Sequence, residues 1–167
     1  MAVAYQGRVF SVVVEKRRFP DGREREVAVV RHPPSVVLVP IEPDGRVVLI
    51  KQYRAPLESE TWECPAGSLE PGESAEEAAR RECEEEIGLV PHRIEPLGAW
   101  YPAPGYCDEK MIFFRPSDLR PPPSDSLHRP DEDEDIQTRS VEFADARAMV
   151  ARGEIVDLKT AYALTLL

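Results

Sequence analysis

Nothing in this chain restricts its folding as tightly as the run from Gly67 to Leu89, GSLEPGESAEEAARRECEEEIGL. Its first part carries Gly and Pro, as a loop does, and the stretch AEEAARRECEEEI that follows carries neither. Ser74 followed by Glu77 spells a capping box, in which each end of the pair satisfies a backbone N–H of the other. The spelling predicts a helix over Ala75 to Ile87, stopped by Gly88 in the left-handed conformation that glycine adopts without strain. At about 100° per residue, Glu82, Glu85 and Glu86 stand at i, i+3 and i+4 and project from one face. Ala75, Ala78, Ala79 and Cys83 lean towards another face and are small enough to let the helix pack closely.

Three carboxylates on one turn repel each other and oppose the helix dipole near its C-terminus. A hard divalent cation removes that cost, and oxygen-only ligands favour Mg²⁺ or Mn²⁺ over zinc. The bland alternative is a solvated Glu-rich face. Arg81 is either a further surface charge or, next to Glu82, a fork that holds a carboxylate in place. Glu73 either orients the loop or caps the first turn.

Gly67, Glu73, Arg81, Glu82, Cys83, Glu85, Glu86, Gly88 and Leu89 follow the spacing G-x5-E-x7-R-E-U-x-E-E-x-G-U, with U apolar. At roughly 5–8 % per residue type, chance supplies such a match on the order of once in 10⁸ windows, a figure that local Glu richness raises by about two or three orders of magnitude. The run resembles a complete Nudix box. The resemblance implies a metal-dependent diphosphate hydrolase and an α+β fold, the α/β/α sandwich with a mixed sheet. It implies Glu82, Glu85 and Glu86 as ligands of Mg²⁺ or Mn²⁺, joined by the backbone carbonyl of Ala66, and Arg81 as part of the catalytic set.

The rest of the chain bounds this reading. Its 167 residues, 42 % of them hydrophobic, fit a single hydrolase domain with its extension. There is no run of 18 apolar residues, and MAVAYQGRVF has no signal-peptide pattern, so the expected location is the cytoplasm, away from membranes. Cys64, Cys83 and Cys107 form no C-x-x-C pair and read as reduced thiols in the core, which argues against zinc or thiol chemistry. A net charge of −10 argues against nucleic acid or anionic lipid as partner. A polyanionic substrate then needs local Arg and metal charge. The chain has no Asn, more Arg than Lys, and 17 Pro, a balance that suits heat tolerance or GC-rich coding alike.

Residues 8–15 and 25–31 are β-branched runs around Phe19-Pro20-Asp21-Gly22 and predict an N-terminal hairpin. A second hairpin is expected to join 35–42 to 46–53 through Pro43-Asp44-Gly45. Further strands are expected near 62–64, 94–101, 110–115 and 136–143, with helices over about 144–152 and 157–166. The resemblance implies a hydrolase domain over 34–167 and an extension over 1–33 that serves dimerisation. Residues 116–135 are rich in Pro and acids, with little to bury. They read either as a disordered surface loop or as a lid whose acids meet the metal.

Pro104, sixteen residues after Gly88, is similar to the downstream proline of ADP-ribose pyrophosphatases, and Trp62-Glu-Cys-Pro-Ala-Gly, Lys51-Gln-Tyr-Arg54, Asp131-Glu-Asp-Glu-Asp-Ile and Asp157-Leu-Lys-Thr-Ala also look like that subfamily. The likeness implies a nucleoside diphosphate sugar as substrate, ADP-ribose foremost, and a homodimer formed through N-terminal strands. It assigns Arg54 to the diphosphate, a task its planar fork suits, although Glu63 at the strand edge is a second partner for it. It places Glu70, Pro104 and Gly105 at the substrate, and Arg18, Phe19 and Arg25 at the nucleobase across the dimer. The paired aromatics that some members stack on the base are not evident in the N-terminal hairpin, which leaves the preferred base open. The general base is either Glu132 in the acidic segment or Glu85 in the box. Alternatives are GDP-mannose, NADH or a diadenosine polyphosphate as substrate, and a non-catalytic ligand-binding module.

Overall fold

Alternation along the strand Ser35–Leu38, all of whose residues are buried, explains the layering. Val36 and Leu38 point to one side of the sheet and pack with Phe114 against Ala78, Ala79 and Cys83 of a helix. Val37 and Val39 point to the other and join Val47, Leu49, Phe113, Met149 and Leu164 in the larger core. Small residues on the helix permit that close approach, and adding methylenes there is expected to cost about 1–3 kcal/mol by overpacking.

The computed structural model describes residues 2–124, 126 and 136–167. The strands are β1 (Ala2–Gln6), β2 (Ser11–Arg18), β3 (Glu24–Arg31), β4 (Ser35–Leu38), β5 (Val47–Arg54), β6 (Ser59–Glu63), β7 (Ala66–Ser68), β8 (Val90–Trp100), β9 (Met111–Arg120) and β10 (Gln137–Val141). The α-helices are α1 (Ala75–Ile87), α2 (Phe143–Ala151) and α3 (Leu158–Ala163). Three sheets form, in the orders β1-β2-β3, β10-β5-β6 and β7-β4-β9-β8. The third is mixed, with β4 and β9 parallel, so the α+β order and the mixed sheet read from the sequence hold.

Helix α1 begins and ends as its spelling predicts. Ser74 Oγ accepts from the Glu77 N–H at 3.2 Å, Glu77 Oε2 accepts from the Ser74 N–H at 2.8 Å, and Gly88 sits at φ 68°.

Pairing departs from the sequence reading in four places. The N-terminal hairpin gains a third strand, β1, whose residues are all exposed and therefore show no alternation to detect. The hairpin around Pro43-Asp44-Gly45 forms next to its turn, with the Gly45 N–H donating to Glu42 O at 2.9 Å, the Val48 N–H to Pro40 O at 3.0 Å and Ile41 bridged antiparallel to Val47, but β4 and β5 beyond it belong to different sheets. The Val39 and Ile41 N–H groups point the other way, to Phe114 O and Pro116 O on β9. Strand β7, Ala-Gly-Ser, has no β-propensity and exists because it pairs with β4. Residues 116–120, expected to lie in a loop, extend β9 along β8 to the Val90–Arg120 pair. Residues 125 and 127–135 of that segment, Glu132 included, lie outside the described residues.

Candidate active site

Arg81 organises the loop and α1 together. Its Nε and Nη2 reach the two oxygens of Glu73 at 2.9 and 3.0 Å, and Nη2 also donates to the Ser68 carbonyl at 3.0 Å. Its Nη1 donates to Glu82 Oε1 at 2.6 Å and to Glu85 Oε2 at 2.8 Å. The hydrogen bonds to Glu73, with the charges of Glu82 and Glu85 behind them, hold the guanidinium charged well above its ordinary range despite burial. Glu73 in turn accepts from the Glu70 N–H at 2.9 Å, so of its two expected roles it takes the one that orients the loop.

Gly67 is where loop and carboxylate come closest. A Cβ added there would lie 1.9 Å from Glu82 Oε1, so only glycine lets β7 pass over that side chain. One residue earlier, the Ala66 N–H donates to Glu86 Oε2 at 2.7 Å. Strand β7 therefore touches two of the three box glutamates. Glu82 and Glu86 are buried and Glu85 is half-buried. Among the described residues no three His, Cys, Asp or Glu side chains converge into a ready-made metal cage. In this structure Arg81 and the β7 backbone occupy the carboxylate oxygens. The donor set is nonetheless oxygen-only, anionic and pinned beneath a glycine, and it fits a hard divalent cation.

A second cluster sits at the end of β5 and β6. Arg54 Nε and Nη2 donate to Glu63 Oε1 and Oε2 at 2.8 and 2.6 Å, and Thr61 Oγ1 and Lys159 Nζ also donate to that carboxylate. Burial pushes the Glu63 carboxyl upward, but Arg54, Lys159 and Thr61 together outweigh it and hold the group down at about 2. Arg54 and Lys159 share a cavity of about 280 Å³ with Ala66, Gly67, Glu109 and Met111. Ala66 and Gly67 are the β7 residues that touch Glu86 and Glu82, and the Glu86 carboxylate is near enough to act on the Arg54 charge. The Arg54–Glu63 pairing expected from the sequence is present. The third member, Lys159, comes from ninety-six residues away and escaped the sequence reading; Asp157 and Thr160 spell the cap of its helix but do not point to Glu63.

The other expected site residues spread more widely. Arg18, Phe19 and Arg25 stand at the β2–β3 hairpin tip, where the Arg25 guanidinium lies 4.5 Å over the Phe19 ring and pairs with Asp21. Pro104 and Gly105 lie in an exposed turn between β8 and β9, closed by the Cys107 N–H on Ala103 O at 2.9 Å. A Cβ on Gly105 would meet nothing within 4 Å. The same loop is tied to the N-terminal sheet, because Asp108 accepts from Arg31 at 2.6 Å and from the His32 N–H at 3.0 Å. Glu70 is exposed on the loop before α1. Burial pushes the thiols of Cys64 and Cys83 up to about 12, which keeps them protonated and inert at neutral pH.

The chain matches the NUDIX domain model over residues 31–160 and belongs to the Nudix family of hydrolases, whose members are divalent-metal-dependent in general. It is 35 % identical over 160 residues to an ADP-ribose pyrophosphatase of Bacillus subtilis (strain 168), which covers 96 % of this chain and 85 % of that protein. It is 32 % identical to the methanol dehydrogenase activator of Bacillus methanolicus, with the same two shares of 96 % and 85 %. A solved structure titled as an ADP compounds hydrolase superposes with a TM-score of 0.83 at 28 % identity, covering 99 % of this chain and 88 % of that one. No helix of the described residues is long and apolar enough to cross a membrane.

Proposed function

We propose that the protein hydrolyses the diphosphate bond of ADP-ribose or a related nucleoside diphosphate sugar, releasing a nucleoside monophosphate and a sugar phosphate. What carries the reading is a carboxylate-rich box whose Glu86 lies near Arg54, in a chain 35 % identical to an ADP-ribose pyrophosphatase over nearly its whole length. Glu82, Glu85 and Glu86, with the Ala66 carbonyl, are the residues that would hold Mg²⁺ or Mn²⁺. A cation there supplies charge neutralisation at the diphosphate and makes a nearby water more acidic. Arg54 binds phosphate oxygens, and Arg81 keeps Glu82 and Glu85 in place. A carboxylate, Glu132 or else Glu85, takes the proton of the attacking water as its oxygen bonds to phosphorus; the P–O bond to the leaving phosphate breaks in line, and that phosphate departs as the anion.

In the same reading residues 1–33 are an extension that joins two copies through β1 to β3. Val3, Tyr5, Val9 and Phe10, exposed by 58, 55, 49 and 41 %, support it, since a lone chain rarely leaves such a cluster in water. Arg18, Phe19 and Arg25 then hold the nucleobase, and Glu70, Pro104 and Gly105 border the sugar and the diphosphate. The site of action is the cytoplasm.

A screen of nucleoside diphosphate compounds with Mg²⁺ or Mn²⁺, run in ¹⁸O water with products analysed by mass, tests this directly. Turnover of ADP-ribose to AMP and ribose phosphate is expected, with the label naming the attacked phosphorus. Cleavage confined to dinucleotides or diadenosine polyphosphates would overturn the substrate class.

A further inference from the structure

Arg54 spends one edge of its guanidinium on Glu63, through Nε and Nη2, which leaves Nη1 outside that fork. How much of its positive charge remains for a phosphate depends on how fully Glu63 is committed to it. Glu63 is 2 % exposed, so no water competes for the carboxylate. With Arg54 alone, the two would form a neutral ion pair, buried on the Glu63 side. Lys159 divides the carboxylate instead: its Nζ donates to Glu63 and also lies 3.0 Å from Asp157, so Glu63 serves two cations.

Lys159 is itself firmly placed. Asp157 caps α3 through the Thr160 N–H at 2.9 Å and accepts from Thr160 Oγ1 at 2.6 Å. Thr160 Oγ1 then accepts from the Cys64 N–H at 2.7 Å. Two consecutive residues at the end of β6 are thus fastened to the start of α3, one by its side chain and one by its backbone. The chain runs from there through Pro65 directly into Ala66 and Gly67.

The geometry points to Lys159 as a positioning residue for the reaction: by sharing Glu63 with Arg54 it fixes the end of β6 and leaves Arg54 charge available to a diphosphate. This rests on the reading of Arg54 as the diphosphate ligand given under Proposed function. Lys159 touches no reacting atom in this account. Its effect passes through Glu63, so it belongs to affinity and not to the chemical step.

The test uses the full chain with Mg²⁺, inorganic pyrophosphate as probe in calorimetry, and steady-state hydrolysis of ADP-ribose. Lys159→Met and Lys159→Gln are each expected to weaken pyrophosphate binding about tenfold and raise KM by about the same factor, with kcat within about threefold of wild type. Lys159→Arg, which still offers Glu63 a cation, is expected to recover most of the loss. Lys159→Gln can donate to Glu63 without a charge, and it stands as the measurement if Lys159→Met does not fold. Wild-type pyrophosphate affinity and KM in folded Lys159→Gln, alongside weakened binding in Arg54→Ala, would overturn the role of Lys159 and leave Arg54 standing. Unchanged binding in Arg54→Ala as well would remove the reading of Arg54 and this inference together. A fall in kcat at constant KM would also overturn it.

Discussion

Two clusters of unequal charge balance lie near one another, the box glutamate Glu86 acting on Arg54 of the other, and each is built round an arginine. At the box, one Arg81 answers three carboxylates, Glu73, Glu82 and Glu85, with Glu86 close by on the β7 backbone. At the end of β6, two carboxylates, Glu63 and Asp157, answer two cations, Arg54 and Lys159. The first is short of positive charge and the second is balanced. A divalent cation supplies what the first lacks, and a protein with net charge −10 can receive a diphosphate only through local arrangements of this kind.

The comparison breaks most severely if a box carboxylate is removed. Glu82→Gln and Glu86→Gln are each expected to lower kcat for Mg²⁺-dependent hydrolysis by about 10³-fold or more while circular dichroism and melting temperature stay near wild type, because a lost ligand removes the cation's work on the diphosphate. Ordinary turnover in either variant would sink the metal assignment. Next in size is Glu132→Gln, expected to lower kcat by about 10² with little change in KM, the usual loss for a general base. If its pH–rate profile and kcat match wild type, the base role passes to Glu85.

The two clusters also differ in how far the sequence announces them. The box is local: capping, helix face and Gly88 all lie within one helical stretch, where i, i+3 and i+4 relations hold without knowledge of the fold. What Gly67 is for was not readable, because its need arises from the Glu82 carboxylate packed against it across the loop. The second cluster joins β5, β6 and α3, and Glu63 and Lys159 are ninety-six residues apart. Helix spelling reveals the Asp157 cap, but no periodicity reveals what Lys159 meets. The shortness of the second hairpin has the same origin: its turn and the Ile41–Val47 bridge are local and as expected, and the parallel pairing of β4 with β9 is remote.

Acid should act on the second cluster through Glu63. Its carboxyl sits at about 2 against an ordinary 4.5, so the folded state binds the proton less readily than the unfolded chain does. The stabilisation is fully present above pH about 4.5 and is lost as pH falls through about 2. Its size is roughly 3 kcal/mol for a shift of this order. Urea midpoints recorded from about pH 5 down to about pH 3 should fall for the wild type, and Glu63→Gln, which has no proton to gain, should show a flatter course. Parallel curves would mean that Arg54 and Lys159 do not hold Glu63 ionised.

The smallest effect, and the one that separates holding a carboxylate from merely neutralising it, is expected from Arg81→Lys. The charge is kept, but a single ammonium cannot at once serve both oxygens of Glu73, the Ser68 carbonyl, Glu82 and Glu85, which the guanidinium reaches with three nitrogens between 2.6 and 3.0 Å. Groups that orient metal ligands typically contribute about 10- to 100-fold in metal affinity, and the lower figure fits a replacement that retains charge. The Mg²⁺ concentration for half-maximal rate should therefore rise about tenfold, with kcat at saturating Mg²⁺ nearly restored. Superimposable Mg²⁺ titrations would mean that charge alone suffices at the box. Full recovery of kcat at high Mg²⁺ would place Arg81 with the positioning groups, whereas a kcat that stays depressed at saturation would give it a share in the chemical step that Glu63 and Lys159 lack.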